Sequence, residues 1–421
     1  MASIKKAKNQ SDSTLGSCLE SIPDNIERVV LAYSGGLDSS VLLHLLALQT
    51  RSFTVCLWHV NHGLQKSADT MEAFCRTQAQ EYGFELKISP LQLNPHAGNL
   101  EYTARLARYK LFENELKQGD CLLTAHHADD QIETFFLNAL RGSGSAGLRG
   151  IARSRPVGQS ILIRPLLDIS RQELSAYASH HQIKWFEDPS NASDQFDRNY
   201  LRHHVVPLIK NRWPGYLSSI RIAIEIQVEI EAVLEDLAAQ DYDTVRGFSA
   251  SDNPEFLSRQ ALLELTLPRQ KNLIRYWLKQ HHCASLPQAR LVELVNQLSA
   301  LKNLGTMIRG TDYSVRVYDQ RLFIVPDEEP PSLQEVYEFD QSAVLKIRAI
   351  GLEIERKEIM RYLKISDIGQ SIRLRFRLRS NLPNSAHHRL KRLFQKHKIP
   401  PWKRSVTPQI YLDDELIGLW F

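Results

Sequence analysis

The stretch "RVVLAYSGGLDSSVLLHLLAL", residues 28–48, constrains the fold of this chain more than any other. An apolar run from Val29 to Tyr33 stops at a small polar string, Ser34-Gly35-Gly36-Leu37-Asp38-Ser39-Ser40, and a leucine-rich segment with helical spacing follows at once. A strand that turns so tightly into a helix exposes the helix's first N–H groups and the positive end of its dipole. Glycines let the backbone close on a bound group, and serine hydroxyls add donors. Together these features make a phosphate cradle. Asp38 is out of place beside an anion unless a cation is also present. Mg2+ held by one or two carboxylates plus phosphate oxygens resolves that conflict. A capped turn explains two glycines alone, but not the whole string. The chain contains no Gly-Lys-Ser/Thr, so this is not a Walker A loop, and the string lacks the G-x-G-x-x-G of a dinucleotide site.

The surrounding residues repeat the strand-then-helix order. "RVVLAY", "FTVCLWHV", "ELKISPL" and "DCLLTAHH" read as strands, and "SSVLLHLLAL", "ADTMEAFCRTQAQEYG", "EYTARLARYKLFENELKQG" and "DDQIETFFLNALRG" as helices. The rhythm predicts an α/β fold, a Rossmann-like parallel sheet with helices on both faces, over residues 26–214. Ligands of such sheets gather at the carboxyl ends of the strands. Residues 215–330 read as a mainly helical domain closed by a hairpin, "YSVRVYDQRLFIVP". An acidic, proline-bearing linker starts at Asp327, and residues 340–421 form a small α+β domain. With 421 residues, two or three domains are expected. Residues 1–25 read as a disordered tail without the apolar core of a signal peptide.

No apolar run approaches a membrane span. The five cysteines are scattered without a C-x-x-C pair, which suits a reducing cytoplasm and argues against a zinc ribbon. The net charge of +4 is modest, yet from Ser371 to Ser405 there are many arginines and lysines and no acid. "IRLRFRLRS" alternates Arg373, Arg375, Arg377 and Arg379 with apolar residues, placing the arginines on one face of a strand. "HHRLKRLFQKHK" then adds Arg389, Lys391 and Arg392. So one-sided a block reads as a footprint for a polyanion.

"TAHHADDQIETFFLNALRGSGSAGLRG", residues 124–150, is the most distinctive stretch. His126 and His127 finish a strand, Asp129 and Asp130 open a helix where the dipole favours acids, and Asp130 and Glu133 share a face. Zinc lacks a supporting ligand pattern. The acids either grip a substrate ammonium or form an acidic cap beside two histidines. Glu101, Arg105 and Arg108 share a face of the preceding helix, which a simple salt bridge also explains.

Ser34–Ser39 resembles the PP-loop of the ATP pyrophosphatase superfamily, enzymes that cleave ATP between the α and β phosphates and adenylate an oxygen of their substrate. S-G-G-L-D-S, N-H-G-L, H-H-A-D-D-Q-I-E-T, R-G-S-G-S-A-G-L-R-G, R-P-L-L and E-D-P-S-N, taken in order from about residue 28 to 210, resemble the tRNA(Ile)-lysidine synthetase family. The resemblance continues more weakly through the middle and C-terminal domains, where "RSNLPNSAHHRLKRLF" departs from the family's glycine-rich turn.

The resemblance implies ATP and Mg2+ as cofactors, and as substrates free L-lysine and an isoleucine tRNA with a CAU anticodon. ATP adenylates O2 of cytidine 34; the lysine ε-amino group attacks C2 and expels AMP. By the same resemblance Ser34, Gly35, Gly36, Leu37, Asp38 and Ser39 hold the phosphates, with Asp38 on the metal. Asp130 and Glu133 bind lysine, and Arg108 and His126, with Arg105, lie near the adenylated base. Arg141, Gly142, Arg149, Arg198, Asn199 and Arg202 meet the tRNA, as do Arg373, Arg375, Arg389, Lys391 and Arg392. The amine attacks only when deprotonated, so an acid or histidine must accept its proton. A sulfur-inserting tRNA enzyme would need a cysteine or iron–sulfur site, and an amidotransferase a nucleophilic cysteine. A non-enzymatic RNA-binding protein would have no use for Asp38, Asp130 and Glu133 together.

Overall fold

The computed structural model describes residues 15–50, 53–61, 63, 68–91, 100–189, 193–194, 196–248, 255–300, 307–327, 336–339, 344–363, 371–376, 384–413 and 415–420. The chain divides into two compact units, residues 1–232 and 233–421.

The first unit is built on the strand–helix alternation. Strands β1 (Arg28–Ala32), β2 (Thr54–Asn61), β3 (Glu85–Pro90) and β4 (Asp120–Leu123) alternate with helices α1 (Leu37–Ala47), α2 (Ala68–Tyr82), α3 (Leu100–Glu115) and α4 (Ala128–Leu140). A short helix α5 (Ser145–Leu148), a hairpin of β5 (Ser154–Val157) and β6 (Ser160–Ile163), and α6 (Arg171–His180) follow. The six-stranded sheet runs β3-β2-β1-β4-β6-β5, parallel except for the edge strand β5. Successive β1 residues alternate sides: Val29 and Leu31 join the core under α1, whereas Val30 packs with Trp58, Tyr109 and Phe112. A sheet apolar on both faces needs helices on both, which is what the chain supplies. Strand order reverses direction between β1 and β4, so the crevice lies at their carboxyl ends.

The expected tail is shorter than read. Leu15, Leu19 and Ile22 are fully buried in the β1–α1 core, with a 3-10 turn at Cys18–Ser21. Their helical spacing presents one apolar face, and burying it outweighs the polar neighbours. Residues 1–14 lie outside the described residues.

A further helical stretch comprises α7 (Asp197–Tyr200), one π-helical turn (Leu201–Val205) and α8 (Val206–Arg212). The long helix α9 (Tyr216–Val245) begins in the first unit and ends in the second, beyond the boundary expected at Pro214.

In the second unit, α10 (Arg259–Glu264), α11 (Leu267–Gln280) and α12 (Gln288–Ser299) pack with a five-stranded antiparallel sheet. The expected hairpin forms the centre of that sheet, β10 (Tyr313–Tyr318) with β11 (Arg321–Pro326). Three short strands extend it, β7 (Arg246–Phe248), β8 (Glu255–Ser258) and β9 (Met307–Arg309), so this region is less purely helical than its sequence reads. Residues 344–420 have apolar clusters of their own. The basic strand behaves as its period of two demands: Ile372, Leu374 and Phe376 are buried, and Arg373 and Arg375 are turned outward. Arg377 and Arg379 lie outside the described residues.

Candidate active site

The loop after β1 owes its shape to Gly35, whose φ is +77°. A Cβ there would sit 3.0 Å from Cys75 Sγ and 3.3 Å from Phe74, so both conformation and space require glycine. Gly36 caps α1 without a side-chain bond, leaving the helix's first N–H groups facing the crevice. The serines brace the loop: Ser39 donates to the Gly36 carbonyl at 3.0 Å and pairs with the Ser34 hydroxyl at 3.0 Å. The Phe186 N–H donates to the Gly35 carbonyl at 2.8 Å, tying the loop to the segment before "EDP". The resulting cavity is about 910 Å³, with Ser34, Gly36, Leu37, Asp38 and Arg108 in its wall, and Arg171, Trp185, Glu187, Asp188 and Arg202 opposite.

Asp38, at the first turn of α1, has one buried oxygen, Oδ1, with no hydrogen-bond partner. Burial pushes its pKa up, His127 and Arg171 oppose this, and Asp130 adds to it. A buried carboxylate oxygen without a donor, beside a cavity with room for a nucleotide, fits a hard cation. Among the described residues no group of three or more His, Cys, Asp and Glu could hold a metal ion by itself. Mg2+ with one carboxylate and phosphate oxygens needs no such group.

His127 joins the loop to the acids. It is 1% exposed, and its Nε2 lies 3.6 Å from Asp38 Oδ2 and 3.7 Å from Asp130 Oδ2. Its backbone N–H donates to Asp130 Oδ2 at 2.9 Å, as the cap of α4.

Asp130 and Glu133 project from one face of α4, both buried. They are met by two arginines one turn apart. Arg198 Nε lies 2.6 Å from Glu133 Oε2 and its Nη2 2.8 Å from Asp130 Oδ1. Arg202 Nε and Nη2 lie 2.6 and 3.0 Å from the two Glu133 oxygens. The π turn at Leu201–Val205 starts between these arginines, an irregularity often found at functional sites. Burial alone would raise the Asp130 pKa, but His127 and Arg198 outweigh it and hold it at about 2.

His126 is neutral over the physiological range. Burial, opposed by Asp130 and helped by Arg164, Arg105 and Arg198, takes its pKa down to about 3. Its Nδ1 is 2.9 Å from the Thr124 hydroxyl. Burial likewise lowers the Arg108 pKa.

The residues expected to meet tRNA divide into two groups. Arg141 and Arg149 are exposed around the turn after α4, where Gly142 has a φ of +70°. Arg198 and Arg202 instead face the acids, and Asn199 donates to the Ser193 carbonyl at 2.8 Å. Gly142–Gly147 does spell G-x-G-x-x-G, but it follows a helix instead of a strand, so it is not a dinucleotide fingerprint. In the second unit, helix α13 (Asn384–Lys396) exposes Arg389, Lys391 and Arg392; Arg389 pairs with Glu415 at 2.8 Å. Arg373 pairs with Glu338 at 2.6 Å and Arg375 lies over the Tyr411 ring. The Glu101 side chain, His62, Ser190 and Asn191 lie outside the described residues.

Sequence reading gives His127 no role of its own and does not single out Arg171. The doubled histidine was the available signal: both residues lie beyond the end of β4 at Leu123, and both reach the site. Arg171 carries no motif; it reaches the site only because α6 starts beside Asp129, whose Oδ2 accepts its backbone N–H at 2.8 Å.

Residues 7–209 match the model of the PP-loop domain, 257–323 that of the TilS substrate binding domain, and 372–419 that of the TilS substrate C-terminal domain. The tRNA(Ile)-lysidine synthase of Alkalilimnicola ehrlichii is 36% identical over 398 residues, covering 92% of this chain and 88% of that protein. Those of Serratia proteamaculans and Pectobacterium atrosepticum are 35% and 33% identical, each over 93% of this chain and 90% and 89% of their own lengths. With a glycine loop between strand and helix, Asp38 in the cavity wall and a buried acid pair at one sheet edge, and with relatives this similar over nearly its whole length, the chain belongs to the tRNA(Ile)-lysidine synthase family.

Proposed function

We propose that this protein joins free L-lysine to C2 of cytidine 34 in an isoleucine tRNA with a CAU anticodon, by way of an adenylated cytidine, releasing pyrophosphate and AMP. One observation carries the reading: a single buried imidazole, His127, lies against both the phosphate-loop carboxylate Asp38 and Asp130, and Asp130 shares Arg198 with Glu133. A nucleotide and an amine are thereby brought to one crevice.

The residues divide the work. Gly35, Gly36 and the first N–H groups of α1 receive the phosphates, and Ser34 and Ser39 keep the loop open to them. Asp38 is the residue placed to hold Mg2+, which when bound neutralises charge on the phosphate oxygens. Arg108, in the cavity wall, stabilises charge developing at the α-phosphate. Neutral His126 can hydrogen-bond the base without adding charge.

Asp130 and Glu133 receive the ammonium of lysine in exchange for the guanidiniums of Arg198 and Arg202. That exchange keeps both acids paired throughout, avoiding the cost of a bare buried charge. Arg141, Arg149 and the exposed Lys391 and Arg392 are placed to meet tRNA phosphates. Among the described residues no helix is long and apolar enough to cross a membrane. We place the reaction in the cytoplasm, with its reduced thiols and tRNA.

The test is incorporation of labelled lysine into a CAU isoleucine tRNA with ATP and Mg2+, followed by nucleoside mass spectrometry. Lysidine at position 34 is expected; label esterified at the 3′ end, or none, would refute the reading.

A further inference from the structure

The R-P-L-L motif has no part in the chemistry above, yet its arginine is among the most buried charges of the chain. Arg164 is 3% exposed and directly follows β6, at the same sheet edge as His126 after the parallel neighbour β4. It belongs to a cluster gathered round Tyr109. The guanidiniums of Arg155, Arg105 and Arg108 lie 4.5, 5.1 and 5.8 Å from the Tyr109 ring centre. Arg164, with Arg105 and Arg108, acts on the phenol strongly enough to outweigh burial and hold its pKa below the ordinary value.

Among the described residues no carboxylate pairs with any of these four arginines. The described hydrogen bonds of Arg155 and Arg164 go to the Pro156 and Ala152 carbonyls, at 3.4 and 2.5 Å. Arg164 is also hydrogen-bonded to the Tyr109 hydroxyl, while its buried Nε has no hydrogen-bond partner. Elsewhere in the unit arginines of this kind are matched: Arg28 by Asp120, Arg153 by Asp168, Arg198 and Arg202 by the acid pair. Four like charges around one neutral ring, two of them substantially desolvated, repel one another, and contacts with a ring and two carbonyls leave that charge unneutralised. Such a cluster is stabilised when an anion enters it.

We propose that the Tyr109 arginine cluster is a phosphodiester site that takes a backbone phosphate of the RNA strand carrying the reactive base. The inference rests on the functional reading above. Its position supports RNA over the nucleotide: the cluster runs from Arg108 in the cavity wall to the exposed Arg105. A strand that delivers one base into the cavity must lay its flanking phosphates along that path. The triphosphate already has the loop, α1 and Arg108, which leaves Arg105, Arg155 and Arg164 to the strand. Guanidiniums give a phosphate paired, planar donors, and Tyr109 Oη supplies one more.

The experiment measures two affinities separately, without turnover. Binding of a CAU anticodon stem-loop is followed by fluorescence anisotropy from about 50 to 200 mM salt, and ATP binding by calorimetry. The variant is Arg155→Gln, half-buried on an edge strand, beside Arg153→Gln, which removes an equal charge already matched by Asp168. The expected result is stem-loop binding weakened about threefold to tenfold in Arg155→Gln, with the log–log salt slope reduced by about 0.7, as one lost phosphate contact on a single strand requires. ATP affinity should be unchanged in both variants, and Arg153→Gln should bind RNA as the wild type does. Weakened ATP binding with intact RNA binding would assign the cluster to the nucleotide and overturn the inference. So would equal RNA loss in both variants, or no change in either. Wild-type protein that fails to bind the stem-loop at all would instead strike at the functional reading.

Discussion

Arg202 grips Glu133 with both arms of its guanidinium, Nε at 2.6 Å from Oε1 and Nη2 at 3.0 Å from Oε2. Glu133 is 2% exposed, and Arg198 reaches it from the other side. A carboxylate so enclosed is held ready for a cation and is never bare. The arginines occupy the place that the functional reading gives to the lysine ammonium. Glu133→Gln should therefore do two things at once. Stability should fall by about 2–4 kcal/mol, below the cost of stranding fully buried charges because both arginines are about a quarter exposed. The KM for lysine should rise at least about tenfold with the KM for ATP little changed. Urea unfolding and lysine titration check the two parts independently.

The acid side of the stability profile should carry two components. Asp130 is held at about 2 against an ordinary 3.8, and His126 at about 3 against 6.5. In both, the folded pKa is depressed, so the unfolded chain binds more protons. Each contribution is complete above the ordinary value and lost as pH falls through the folded one. His126 should thus cost stability from about pH 6.5 downward, and Asp130 only below about pH 4. Thermal melts of His126→Gln should lack the upper component and keep the lower. Asp130→Asn should show the reverse.

Gly35→Ala tests whether the loop is shaped for a ligand. The φ of +77° costs an alanine about 1–2 kcal/mol, and its Cβ would press on Cys75 Sγ at 3.0 Å. Because the strain is local, the loop should shift instead of the fold being lost. ATP affinity should fall by about tenfold or more, with the far-ultraviolet circular dichroism of the wild type retained.

These residues also mark what could be read from the chain. The strand–loop–helix at Val29–Leu46 was legible because apolar periodicity and two glycines are local signals. The same holds for Ile372–Phe376, whose alternation survives intact. The pairing of Arg198 with Glu133 was not legible, since it joins residues 65 apart in sequence and both had been given other partners. Basic residues after "EDPSN" look like RNA contacts until the fold shows a buried acid within reach. Likewise Leu15, Leu19 and Ile22 were hidden among polar neighbours, and the three-residue strands β7 and β9 are too short to carry a period.

His127 should act as a positioning residue. It touches Asp38 and Asp130 at 3.6 and 3.7 Å and is too enclosed, at 1% exposure, to reach a substrate. His127→Ala should lower the rate of pyrophosphate formation about a hundredfold, the scale of a misplacement of about 1 Å, with stem-loop affinity unchanged. If His127→Asn, which keeps a polar atom near Asp38, recovers part of that loss, positioning is the cause; equal losses in both would indicate a direct chemical role.

The measurement that bears most directly on the account is release of AMP from ATP labelled at the α-phosphate. CAU isoleucine tRNA and lysine are each supplied or withheld, beside Asp38→Ala and Glu133→Gln. The account predicts AMP only when both substrates are present, matched mole for mole by lysine entering the tRNA. It predicts none with Asp38→Ala, and with Glu133→Gln a rate restored at high lysine. AMP released at full rate without lysine, or equally from Asp38→Ala, would contradict it.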